Sequence, residues 1–381
     1  MAGIYVHLPF CPYICPYCDF AKWPYRRSQA QRYVAALVRE IESAPPVRGE
    51  TVFLGGGTPN VLPTEDLVTI LRAVRARFDV PEGAEISVEV NPDAGSFDGF
   101  PAYVAAGVTR FSVGVQSFDE GELRTLGRRH RPDDVAACVR AARAAGARSI
   151  GIDLIFAVPG QTRESWRRSL EAAIALDVDH LSCYGLTVEA GTPYEAWRSR
   201  EPSAFFDDAA EAELYGLAIE ILEKAGFEHY EISNFARPGH RCAHNWNYWQ
   251  NGEYVGLGVG AASYLDGERS IATKSLEAYC RAIEAAQPLP RERERLAGEE
   301  AVGEAIMLQL RTAEGVKVAP FNERYGVDIV SSYRPAISRL EAAGLIVSSE
   351  QRIALTPRGR FLANDVCVEF LRARAGTEDK P

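Results

Sequence analysis

Along the first half of the chain, short apolar and β-branched runs alternate with stretches of helical spacing. The runs 4–9, 51–54, 85–90, 110–116, 149–156 and 180–186 predict strands. Between them, 29–43, 64–77, 100–106, 133–145 and 164–176 repeat apolar residues three and four apart and predict helices. Strand–helix alternation implies a parallel sheet. About six such units predict an α/β fold built on a partial (β/α)6 barrel rather than an eightfold one, with its active site at the carboxyl ends of the strands.

From about residue 276 the pattern changes. "EEAVGEAIMLQLRT", "VAPFNERYG" and "VSSYRPAISRLEAAGLI" have helical spacing, "LIVSSEQRIALT" predicts a two-stranded wing, and "PRGRFLANDVCVEFL" a last helix. The order predicts a small α+β winged-helix-like domain at 276–381, ending in a frayed tail, "ARAGTEDKP". A barrel at 1–230 and a connecting segment at 231–275 make up the rest.

Composition narrows the function classes. Hydrophobic content of 46% and charged content of 25% are those of an ordinary globular protein. A net charge of -10 argues against bulk attraction to nucleic acid or anionic lipid. Acidic and basic residues balance in the last segment, so the winged-helix pattern lacks the charge footprint of a DNA reader. A lid or a client-docking surface is the expected use instead. No apolar run reaches the ~18 residues of a membrane helix. The first strand-like run begins at Gly3, which leaves no room for a secretory signal. The expected location is cytoplasmic, with membrane contact only through partners and with the 8 cysteines reduced.

Four of those cysteines, Cys138, Cys183, Cys280 and Cys367, lie in apolar runs and read as small buried hydrophobes. Three others, Cys11, Cys15 and Cys18, share one loop, "CPYICPYC", directly after the first strand. A structural zinc site would want a fourth ligand, and no second CxxC exists in the chain. A disulfide would leave one thiol over. An iron–sulfur cluster usually takes four thiolates, so three would leave one iron open to a small molecule.

The C-x3-C-x2-C loop resembles the signature of the radical S-adenosylmethionine superfamily. The resemblance implies a 4Fe-4S cluster on Cys11, Cys15 and Cys18, with S-adenosylmethionine chelated to the open iron. An aromatic residue usually precedes the last cysteine, and Tyr17 stands there. "FLGGGTPN" resembles the glycine-rich stretch that receives the methionine amino group, here Gly56, Gly57 and Thr58. Glu89 in "EISVEVNPD" and Asp153 in "SIGIDLIFAVPGQT" are carboxylates inside apolar strands, a costly placement unless paired. By resemblance Glu89 binds the ligand, while Asp153 suits ribose hydroxyls. Gln116 and Arg128 match "QSF…LxR", and the guanidinium suits a carboxylate. Where the family reads Phe-Gly-Leu-Pro-Gly-Gln, this chain has Phe156-Ala157-Val158-Pro159-Gly160-Gln161.

"YVHLPFC", with Tyr5 and His7, "HLSCYGLTVEAGTPY" and "HNWNYWQNGEYVGLGVGAASY" extend the resemblance over nearly the whole chain. Together they are similar to the branch that holds oxygen-independent coproporphyrinogen III oxidase and its haem-chaperone relatives. The oxidase carries a fourth cysteine two residues after the third, where this chain has Phe20, and an N-terminal extension ahead of the first strand. Both departures favour the chaperone family over a decarboxylase. The alternative is an enzyme acting on a tetrapyrrole by radical chemistry. For the chaperone, the resemblance implies haem, client haem proteins, and a flavodoxin or ferredoxin as reductant. It makes His244, in "GHRCAHNWNYWQ", the haem-contacting residue, with Cys242 and His240 as weaker candidates. An aromatic cluster that closes the open side of the barrel is the competing account of that segment.

Overall fold

The expected strands pair side by side in chain order. In a computed structural model that describes residues 2–372, they are β1 (Ala2–Leu8), β2 (Gly49–Gly56), β3 (Glu85–Val90), β4 (Arg110–Gln116), β5 (Ser149–Phe156) and β6 (His180–Gly185). All neighbouring pairs among these six are parallel. Both faces of the strands are covered: Ile4, Val6 and Leu8 are buried in β1, and in β5 every residue but Asp153 is buried. The crossovers are α1 (Arg27–Ser43), α2 (Thr64–Arg77), α3 (Phe100–Ala105), α4 (Pro132–Ala144) and α5 (Arg163–Ala175). Thr162 starts α5 by accepting from the Ser165 amide at 3.0 Å, a side-chain cap. A further helix, α6 (Asp208–Lys224), packs on α5 and was not among the expected elements.

The segment 231–275 is part of the barrel body rather than a connector. On one side, β8 (Asn234–Ala236) pairs antiparallel with β6, and β7 (Glu228–His229) pairs antiparallel with β8 at the sheet edge. On the other, β9 (Tyr254–Leu257) pairs in parallel with β1. It is followed outward by β10 (Ala262–Leu265), β11 (Glu268–Ala272) and β12 (Arg291–Arg295), which complete a 12-stranded sheet. Between β8 and β9 the chain forms α7 (Ala243–Trp249), which packs on β2.

A domain boundary at residue 276 would cut through the first core. Helix α8 (Leu276–Glu284) buries Leu276, Tyr279 and Cys280 against the barrel. The Tyr279 hydroxyl donates to buried Glu40 at 2.6 Å, and its ring lies 5.2 Å from that of Tyr33. The second core runs from Val302 to Phe370. It joins the helices Gly298–Leu310, Val318–Tyr325, Arg334–Ala342 and Ala363–Arg372 to a three-stranded sheet whose hairpin is Ile346–Ser348 with Arg352–Leu355. This is the winged-helix-like unit, shorter than expected by a helix and a strand. The expected frayed tail lies outside the described residues. Among the described residues no helix is long and apolar enough to cross a membrane.

Candidate functional site

At the carboxyl ends of the strands lies a cavity of about 370 Å³. Cys11, Cys15 and Cys18 line it together with Tyr17, Gly56, Gly57, Thr58, Glu89, Gln116, Arg128 and Asp153. Residues from five separate stretches of sequence thus meet at the end of the barrel where such sites collect.

The cysteine loop is anchored at both ends. Phe10–Cys11 pairs with Trp23–Pro24, and the Tyr25 amide donates to the Cys11 carbonyl at 2.8 Å. The Gly57 and Thr58 amides donate to the Leu8 and Phe10 carbonyls at 2.9 and 2.8 Å. A side chain at position 57 would place its Cβ 2.7 Å from the Phe10 carbonyl oxygen, so close approach requires glycine there. Gly56 has φ +110, and its amide donates to Glu89 Oε2 at 2.9 Å.

The carboxylates sit in surroundings that disfavour charge. Burial pushes the Glu89 carboxyl up to about 7, with the neighbouring Asp153 adding to the rise and the Gly56 amide opposing it. Burial also raises Asp153, against the Ser182 and Ser112 hydroxyls that bond it. Arg128 is buried rather than solvated. Its Nη2 donates to Asn91 Oδ1 at 2.9 Å and to the Gly114 carbonyl, and its Nη1 lies 3.8 Å from Cys15 Sγ. Its Nε has no protein partner. Gln116 has φ 70 where the register of β4 and β5 shifts, which is backbone strain placed at the cavity wall. Sequence reasoning missed Asn91, which bridges Arg128 to the Thr58 hydroxyl at 2.9 Å from each. The available signal was its position at the end of a predicted strand, in "VNP".

Burial pushes the Cys11 thiol up to about 11 and raises Cys18 as well. Thiolates at these two positions need a cationic centre to offset that cost. No group of three or more His, Cys, Asp or Glu among the described residues is spaced to hold one metal ion.

Residues 5–173 match the Radical SAM superfamily, and residues 296–362 match the HemN C-terminal domain. The heme chaperone HemW of Bacillus subtilis is 35% identical over 97% of this chain and 99% of its own length. That of Escherichia coli is 33% identical over 97% of this chain and 98% of its own. This chain belongs to the HemW family of radical SAM proteins. Among solved structures, coproporphyrinogen III oxidase (HemN) of Escherichia coli, a radical SAM enzyme, superposes with a TM-score of 0.84 at 25% identity, covering 97% of this chain and 89% of the oxidase.

Two further residues of the HemW-family motifs, Tyr5 and His244, lie outside the cysteine cavity. Tyr5, the residue the resemblance offers to S-adenosylmethionine from "YVHLPFC", lines the adjoining cavity with Gly56 and Glu89. It pairs with Phe53, below the glycine turn on the strand, and its hydroxyl bonds His7 Nδ1 at 2.9 Å. His244 is buried with both ring nitrogens engaged, Nδ1 with the Thr51 hydroxyl and Nε2 with the Tyr248 hydroxyl, each at 2.8 Å. Its ring stacks on Phe53 at 5.2 Å, and burial lowers it to about 3, so it stays neutral. Neither nitrogen is free for an iron. Cys242 is also buried and bonds Glu85 at 3.5 Å, while His240 lies 4.0 Å from Asp179. Cys242 and His244 line a smaller cavity of about 180 Å³ together with Glu89 and Asp153, and His240 is not among its lining residues. A second cavity, of about 470 Å³, shares Phe20, Gly56 and Glu89 with the first. The four cysteines read as core residues are all buried.

Proposed function

We propose that the chain carries a 4Fe-4S cluster on Cys11, Cys15 and Cys18, binds S-adenosylmethionine beside it, and accepts haem for delivery to client haem proteins. The observation that carries the proposal is the single cavity in which the three thiols meet Gly56, Gly57, Thr58, Glu89, Gln116, Arg128 and Asp153. The residues suit the groups. Three half-buried thiols in one cavity suit a cluster with an open iron, and buried Arg128 keeps its Nε free for an incoming oxygen. Glu89 and Asp153 offer carboxylate acceptors for hydroxyls and for a cationic ligand. A bound cluster supplies an open iron and a single-electron donor. The chain's own residues hold the ligand, orient it and keep water from it. The relatives named heme chaperone favour haem as cargo and haem proteins as clients. The reading places the protein in the cytoplasm, with a flavodoxin or ferredoxin as reductant and no nucleic-acid partner.

A second reading, a radical enzyme acting on a tetrapyrrole, is favoured by the superposition on the oxidase over 97% of the chain. Phe20, where the oxidase has a further cysteine, weighs against it. Anaerobic reconstitution separates the two. The chaperone should bind S-adenosylmethionine, take up haem and pass it to an apo-haem protein, while leaving coproporphyrinogen III unchanged. Formation of protoporphyrinogen IX by the purified protein would overturn the chaperone reading.

A further inference from the structure

We infer that the groove between the helices Gly298–Leu310 and Ala363–Arg372 of the winged-helix-like unit is where a client haem protein docks, through a helical segment with a basic edge and an apolar face. This inference rests on the client part of the reading above and gives the client a seat on the surface.

The floor of the groove is apolar. The two helices approach each other at Gly303, where a Cβ would meet Leu371 Cδ2 at 3.2 Å. Beside that crossing they leave a groove of about 530 Å³, larger than the two cavities at the barrel end. Met307, Phe370 and Leu371 line it, and Leu371 is left 49% exposed. Phe370 is buried, with its ring 5.7 Å from that of Tyr333. Met307 is the one methionine of the chain besides Met1. An unbranched thioether adapts to side chains of different shape, as a surface that meets several clients requires. A floor of this kind gains by burying the apolar face of a helix.

The rim sets the charge of the partner. Glu299, Glu300 and Glu304 line the groove from one helix, and among the described residues no Lys or Arg lines it. A basic segment is drawn in and an acidic one is repelled. The position also suits delivery. The helix that carries the three glutamates lends Leu308 to the wall of the cavity of about 470 Å³ at the barrel end. Glu304 holds Arg269 of the same cavity at 2.7 Å. A partner in the groove therefore sits one helix diameter, ~10 Å, from that cavity.

The test uses the full-length protein and a fluorescent helical peptide of about 18 residues, with leucine along one face and lysine along its edge. Anisotropy should show binding that weakens as salt rises, and no binding of the same peptide with glutamate in place of lysine. Glu300→Lys, at an exposed position, and Leu371→Ser should each weaken the lysine peptide about tenfold. Both should slow haem hand-over to an apo-haem protein, with the melting temperature and the iron and sulfide content unchanged. If wild type hands over haem and both variants match it in peptide affinity or in rate, the groove is not the docking site, and this inference fails while the chaperone reading stands. Peptide binding that appears only once residues 373–381 are removed would make the chain's own end the occupant. A dimer that Glu300→Lys dissociates would make it a second copy. Either result overturns the assignment. If wild type hands over no haem, the client reading itself is wrong.

Discussion

Replacing Glu89 by Gln should stabilise the ligand-free protein, by an amount that depends on pH. Burial holds the Glu89 carboxyl at about 7 against an ordinary 4.5, so the folded state binds its proton more tightly than the unfolded chain does. The sign follows. Below about pH 4.5 the group is neutral in both states and costs nothing. As pH rises toward 7 the unfolded chain releases the proton first, and stability falls until the folded carboxyl ionises too. The full gap is worth about 3 kcal/mol at 1.36 kcal/mol per pH unit, and about 2 kcal/mol of it falls between about pH 5.5 and about pH 8. Gln keeps an oxygen for the Gly56 amide, now 2.9 Å from Glu89 Oε2, but cannot ionise. Urea unfolding of both proteins, stripped of cluster and ligand, should show the Gln variant gaining about 2 kcal/mol on wild type between those two pH values. The same variant should bind S-adenosylmethionine about 10–100-fold more weakly, since a charged acceptor is lost. A stability difference that stays constant with pH would refute the assignment of a buried, proton-holding Glu89.

Cys15→Ala should lose the iron and sulfide that wild type takes up on anaerobic reconstitution, and Cys138→Ala, in the core of α4, should retain them; elemental analysis decides. His244→Ala should destabilise the fold by about 3–5 kcal/mol, because it strands the Thr51 and Tyr248 hydroxyls and empties the stack on Phe53. Its effect on the haem spectrum should be indirect and partly rescued by His244→Gln, which can still bond Tyr248; equal loss of haem in both variants, with folding intact, would restore His244 as a direct ligand.

Much of this architecture was written in local sequence. Apolar runs with a strand's length and helical repeats between them are set by contacts within a few residues, so the parallel order of β1 to β6 could be read directly. The cysteine loop, the glycines after β2, and two carboxylates in otherwise apolar strands were legible for the same reason: each departs from its immediate surroundings. Long-range pairing was not legible. Tyr254–Leu257 lies beside β1, with Gly3 paired to Tyr254 from the far end of the sequence, and α8 joins the barrel core through Tyr279, Glu40 and Tyr33. No local pattern records either contact. The hardest case is "HNWNYW". Its composition offers a histidine to a metal, but whether a nitrogen is free depends on Thr51, a distant residue on β2, and on Tyr248 one turn along α7. Sequence by itself determined which chemistry the chain carries and the end of the barrel where it gathers. Tertiary structure alone decided which of those groups are already spent on each other, because a hydrogen bond between distant residues exists only once the fold has brought them together.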